Sequence, residues 1–221
     1  MAAPTFGVMG ANASGSGTSV AVAAPASVVN GSIVVVPIFL DGAAQTVTPP
    51  DGTWFAAEDT PQNVASGSHG LHVFWHRAAG SEAGPYTFTW GSSTFRDTFA
   101  ARFDTGVASG TPFDSPADGA QDPNLVTNSP SVSTTSLGAD RLDIWCSTNW
   151  SGGTWTAPTG FTKHAQSQEN VLTIASHAHP TAGGTGSLVG SCTGADRMTA
   201  WVGALIGTTA GGPAALPKRP L

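Results

Sequence analysis

Six histidines stand out in a chain of which only 10% of residues are charged. His72 and His76 are an even number of positions apart, as are His177 and His179, so on an extended strand each pair shares a face. Imidazole pairs of this kind are candidate ligands for zinc or nickel. No carboxylate or cysteine lies close by in sequence to complete a coordination shell, and His69 and His164 fall in segments that read as loops. These histidines therefore read as solvent-facing or partner-facing, with no metal and no cofactor expected.

Other reactive groupings are weaker still. GSCTG (190–194) has a cysteine between spaced glycines, but the nucleophile elbow of hydrolases needs a strand-to-helix turn there, and the segment after it reads as another strand. The acidic pairs Asp41 with Asp51, Glu58 with Asp59 and Asp140 with Asp143 sit in turn contexts, where Asp closes loops. A glycosidase would need two carboxyl groups facing each other across a cleft, so the expectation is a protein without enzymatic activity. Seven tryptophans raise sugar stacking as a further possibility. Trp54, Trp150 and Trp155 adjoin loops and are the candidate glycan or partner contacts, whereas Trp75, Trp90 and Trp201 lie on strands and read as core.

Composition narrows the function classes. Eight Lys and Arg against fourteen Asp and Glu give a net charge of −6, and nucleic-acid binding needs a basic stripe that this chain lacks. Arg77 is the first basic residue, so the positive start of a secretory signal is missing. The longest apolar run, 33–40, is far short of the roughly 20 residues of a membrane helix. A chain without a cleaved signal and without membrane or nucleic-acid partners is expected. Two cysteines, Cys146 and Cys192, make no disulfide framework and read as buried thiols, although one bridge between them stays open.

The elements that must position these residues are strands. TSVAVAAP, NGSIVVVPIFLDG, HGLHVFWHRA, YTFTWG and FRDTFAARF alternate or are continuously apolar, with Gly and Pro punctuation between them. Pro37 inside the second run implies a bulge or an edge position. TVTPPDG (46–52) recurs as TWTAPTG (154–160), 108 positions later. Around it the same order repeats: ADRLDIWCSTNW stands for NGSIVVVPIFLDG, and Leu172 and Ile174 stand for Leu71 and Val73. Cys192 then falls at the place of Trp90, and Trp201 at that of Phe99. In this reading VTNSPSVSTTS (126–136) replaces the first strand.

The expected fold is all-β, an antiparallel two-sheet sandwich, jelly-roll-like, from an internal duplication of a roughly five-strand unit. Its expected parts are a flexible N-terminal arm (1–17) and one sandwich domain (18–206). Half-repeats 18–103 and 127–206 are joined by a connection (104–126), with a C-terminal tail at the end (207–221).

NGSIVVVPIF, TVTPPDGTW, GLHVFWHRA, PYTFTW, TPFD, ADRLDIWC and WTAPTGF together resemble β-sandwich virion proteins of tailed phages that infect actinobacteria. The resemblance covers nearly all of 18–206 and carries no catalytic residues. It implies a non-enzymatic structural protein of the virion, a minor capsid or decoration protein on the outer head surface. Its partners would be the major capsid protein or another virion protein, with copies of itself as a homo-oligomer. The alternative within the resemblance is a minor tail or receptor-binding protein that recognises host cell-surface glycans. If the arm docks on the shell, deleting 1–17 leaves the sandwich folded and lowers virion occupancy.

Overall fold

A computed structural model describes residues 3–42, 45–64, 68–104, 107, 109–114 and 116–207. The first half holds β1 (Thr5–Met9), β2 (Ala13–Val22), β3 (Ile33–Asp41), β4 (Trp54–Ala56), β5 (Gln62–Asn63), β6 (His69–Arg77), β7 (Tyr86–Thr98) and β8 (Ala101–Asp104). The second holds β9 (Asp118–Asn128), β10 (Thr135–Ser136), β11 (Arg141–Asn149), β12 (Trp155–Thr156), β13 (Thr162–Gln166), β14 (Leu172–His179), β15 (Gly183–Gly184) and β16 (Ser191–Ile206). The described residues contain no helix. Strands β1 to β8 form one antiparallel sheet; β9, β11 to β14 and β16 form the other, with β10 and β15 paired beside it. The fold is therefore an antiparallel two-sheet sandwich in which each half of the chain builds its own sheet.

The repeat is visible in the strand registers. Val35 pairs with Trp75 on one side and Ala101 on the other; Ile144 pairs with Ser176 and Gly203 in the same way. Phe39 lies between Leu71 and Asp97, as Thr148 lies between Leu172 and Thr199. Carried along these ladders, Phe99 falls at the position of Trp201, and the bridges Thr48 to Thr89 and Thr156 to Ser191 set Trp90 at that of Cys192. The matching of β3 with β11, β6 with β14 and β7–β8 with β16 is the duplication read from the sequence.

Three assignments change. The expected flexible arm 1–17 is corrected over its described residues: 5–9 form β1, paired with β8, and 13–17 form the first half of β2, paired with β7. Phe6 meets Phe103 edge-on at 5.8 Å and stacks on His164 of β13 at 3.7 Å, so this segment bridges the two sheets. The connection 104–126 contains most of β9, and it is β9, not 126–136, that pairs with β16 as β2 pairs with β7. An edge strand needs little apolar alternation and tolerates Pro123, which sits at a register shift, so its composition reads as loop. The C-terminal tail beyond Gly207 lies outside the described residues.

Pro37 is at neither a bulge nor an edge. β3 is central, and Pro37 falls where the neighbouring ladder is interrupted at Phe99 and Ala100 without a change of register. Its missing N–H thus costs no bond, and its carbonyl accepts from the Thr98 hydroxyl at 2.7 Å. In the second half Cys146 takes this place, has an N–H, and β16 runs past it unbroken.

Both central strands are buried on both faces. Ile33, Val35 and Phe39 pack with Leu142, Ile144 and Cys146 between the sheets. The other face of β3 (Val34, Val36, Ile38 and Leu40) is roofed by Val20 and Val22 of β2 and by Tyr86, Phe88 and Trp90 of β7. Trp145 of β11 is roofed by Val132, Trp155, Leu188 and Cys192. Cys146 and Cys192 are free buried thiols.

Two consequences are measurable. Deleting 1–17 removes β1 and the Phe6 bridge, so it should lower unfolding stability by more than about 3 kcal/mol, given about 1.5–3 kcal/mol per buried large side chain. A truncated chain with the parent's urea midpoint would contradict the pairing. Burial also depresses the pKa of His69 and His72 from 6.5 to about 4. Their neutral forms fit the folded state, so stability is full above pH 6.5 and falls as pH drops toward 4, on the order of 3 kcal/mol for each. His72→Leu should flatten the difference in unfolding free energy between pH 7.5 and 4.5.

Candidate functional site

Each repeated turn motif is followed by an aromatic residue, Trp54 two positions after Gly52 and Phe161 one after Gly160, and each of these meets a histidine. In the first half, Trp54 N–H closes back on the Asp51 carbonyl at 3.4 Å, while the Asp51 carboxylate accepts from the Thr53 N–H at 2.8 Å and from its hydroxyl. In the second, Phe161 N–H donates to the Pro158 carbonyl at 3.0 Å, with Gly160 at φ +87°. That left-handed conformation is the one a type II turn demands at its third residue. Trp54 stacks on His76 at 5.0 Å and 21°, and Phe161 on His177 at 5.3 Å and 29°. His76 and His177 occupy equivalent positions, opposite Val34 on β3 and opposite Asp143 on β11.

Around His76 the polar contacts close on themselves. Its Nδ1 is 3.2 Å from the Thr53 carbonyl, and its Nε2 is 2.8 Å from Glu82 Oε1. Tyr86 donates its hydroxyl to Glu82 Oε2 at 2.8 Å, and burial, helped by that carboxylate, pushes the phenol pKa up. Trp54, His76, Glu82, Tyr86, Asp51 and Pro85 border an open cleft of about 470 Å³. The rings beside the cleft are themselves buried and its carboxylate is already held by two donors, which suits polar contact with a neutral ligand better than ring stacking or acid–base chemistry.

Around His177 the contacts do not close. Asp143 is wholly buried, with Oδ2 3.2 Å from His179 Nδ1 and 3.9 Å from His177 Nδ1. Oδ2 thus lies within ion-pair reach of both rings, and the charge and hydrogen bonding of the two histidines act on one carboxylate. Desolvation pushes the Asp143 pKa up, against the pull of His179 and His177. A cavity of about 130 Å³ adjoins the group, bordered by Thr159, Phe161, Thr185 and Leu188. Among the described residues, no group of three or more His, Cys, Asp or Glu is placed to hold a metal ion.

The sequence candidates are thus partly gathered and partly dispersed. His72 and His76, expected to face solvent or a partner, are buried under the β2–β7 roof, because β6 is covered on both faces. His69 and His164 are on strands and not in loops. The two histidine pairs do not meet, since each lies on the outer face of its own sheet with the inter-sheet core between them. Trp54 and Trp155 are buried and cannot offer a face to sugar; Trp155 packs edge-on to Trp145 at 6.3 Å and donates to the Asn170 carbonyl. Only Trp150 of the three is open, at 39% exposure, and it stacks on Phe39 of the opposite sheet at 5.4 Å. Cys192 lies inside β16, so GSCTG forms no elbow.

Sequence reasoning missed Glu82, and it weighed Asp143 only as a turn acid paired with Asp140, whereas the structure buries it inside β11. Asp143 carried a signal, since it shares a face with Trp145 in RLDIWC, a place where water is excluded. Comparison with protein-family models finds no match, and comparisons with curated proteins and with solved structures find no significant match.

The His76 cluster has a measurable weight. Glu82→Ala should cost about 1–3 kcal/mol by leaving two donors unpaired, and Tyr86→Phe about 1 kcal/mol. Urea unfolding of both variants checks this, and a Glu82→Ala midpoint equal to that of the parent would show the cluster to be incidental.

Proposed function

We propose that this protein is a non-enzymatic structural component of a phage virion, a minor capsid or decoration protein held on the outer head surface as a homo-oligomer. The motif resemblance and the duplicated sandwich support that reading. The observation that carries it is how the few charges are used. Arg141 pairs with buried Asp114 at 2.6 Å, and Arg102 with Asp104 at 2.6 Å. Glu58 and Asp59 accept from the backbone N–H groups of Ala117 and Gly119, and Asp118 from that of Ser133.

These charges are engaged within the chain, and the surface keeps large apolar side chains such as Leu125 (69% exposed) and Leu137 (66%). Average soluble domains have about 25% charged residues, so a chain with 10% fits a surface covered by other protein. Binding assembled shell and not free subunits would stabilise the shell by mass action, about 2.7 kcal/mol per site at a hundredfold excess over Kd. Since residues 5–22 are strands, the contact would lie on such exposed side chains and not on an N-terminal arm.

The open cleft bordered by Asp51, Glu82 and Pro85 favours the second reading, a tail-associated module that would hold host glycans by polar contacts and not by stacking on buried Trp54. The two separate experimentally. Purified protein should co-sediment saturably with phage shells that lack it and raise their heat-disruption temperature, and Leu125→Asp should weaken that binding. Failure to bind shells, together with retention on host cell-wall glycan, would move the protein to the tail.

A further inference from the structure

We propose that β2 is the contact between two copies of this chain, which pair their β2 strands antiparallel across a two-fold axis and so join their first sheets into one. β2 lies at the edge of its sheet, and among the described residues its backbone pairs with β7 alone. Together β1 and β2 run along β8 and β7, from Thr5 opposite Asp104 to Val22 opposite Tyr86. The outer side of an edge strand holds a row of N–H and C=O groups without strand partners, and such a row is a template for one more strand.

The other edges of the two large sheets are guarded, and this one is not. Strands β4, β5 and β12 have only three, two and two residues. β13 carries Lys163 and shifts register beside it. β9, which pairs with β16 as β2 pairs with β7, contains Asp122 and Pro123. The N–H of its Gly119, and that of Ala117 just before it, are taken by the carboxylates of Asp59 and Glu58. Short strands, charge, proline and covered backbone are how sheet edges are kept from pairing. From Thr5 to Val22 there is no charged residue and no proline, and the first charged side chain of the whole chain is Asp41. Gly17 lies opposite Thr94 and Ser19 opposite Thr89, so the extra residues at this register shift are on β7 and not on β2.

A second copy fits this edge because the strand reads nearly alike from either end. Residues 13–19 are Ala-Ser-Gly-Ser-Gly-Thr-Ser, centred on Ser16. A two-fold axis at Ser16 sets Gly15 opposite the partner's Gly17, Ser14 opposite the partner's Thr18 and Ala13 opposite the partner's Ser19. Ser and Thr hydroxyls facing each other across an antiparallel ladder bond to one another, and a strand without charge brings no like charges together at the axis. Ser16, Thr18 and Ser19 are exposed, so pairing has only water to displace there. The contact rests on the homo-oligomer of the virion reading and gives it a surface; it does not depend on a place on the head.

Sedimentation equilibrium of the full chain at micromolar concentration should give twice the chain mass of 22.2 kDa. Ser16→Lys sets two like charges face to face at the axis and should weaken association by about tenfold or more, while keeping the parent's far-ultraviolet circular dichroism. Thr18→Lys, equally exposed, carries the test if Ser16→Lys does not fold. Under mild oxidation Ser16→Cys should cross-link the two copies, because facing residues of an antiparallel ladder hold their Cβ atoms about 4.5–5.5 Å apart. A monomeric parent, or a dimer that neither lysine variant weakens, would overturn the contact. A monomer that still binds phage shells would leave the virion reading standing without this contact. A dimer weakened by Ser16→Lys that binds no shells would keep the contact and remove that reading.

Discussion

Burial of β3 and β11 on both faces is the constraint on which the rest of this structure depends. A strand apolar on both sides can leave neither face in water, and each large side chain it buries contributes about 1.5–3 kcal/mol. Packing the two sheets together covers one face of each. The other faces need covers of their own, so β7 leaves its pairing with β3 to run with β2 across Val34, Val36 and Ile38. On the second sheet Trp155, Leu188 and Cys192 do the same for Trp145. The chain thus has three apolar layers, and the N-terminal strands are structural because one layer would otherwise lie open.

The two halves share this solution and differ where one residue changes the backbone or the charge. Pro37 cannot donate, and the strand beside it breaks into β7 and β8; Cys146 can donate, and β16 stays whole. On the outer faces a turn delivers an aromatic ring onto a histidine in both halves. Beside that stack one half has Val34 and borrows Glu82 from a loop, while the other has Asp143 within the strand itself. A common scaffold has therefore acquired one polar cluster built on a loop carboxylate and one built on a carboxylate within the sheet.

How legible these features were depended on the range of the interaction that made them. The β3 to β11 and β6 to β14 matches could be read because apolar alternation and turn residues are local. The burial of Trp54, Trp155, His72 and His76 could not, because each is covered by a segment distant in sequence. Trp54 beside a glycine turn reads as a loop residue, and only the arrival of Tyr86 and Phe88 shows it to be core. Likewise β9 and the strands of 1–17 have compositions of edge segments, whose pairing is decided by the partner's backbone and not by their own side chains.

The sequence by itself determined an all-β chain, a duplicated unit and a composition poor in charge. These depend on period, turn chemistry and composition, which act within a few residues. Only the tertiary structure decided that each half builds one whole sheet and that the outer faces are roofed. It also decided that Asp143 stands between two histidines of another strand. Those outcomes depend on strand register, which joins residues more than thirty positions apart and leaves no mark in any short stretch of sequence.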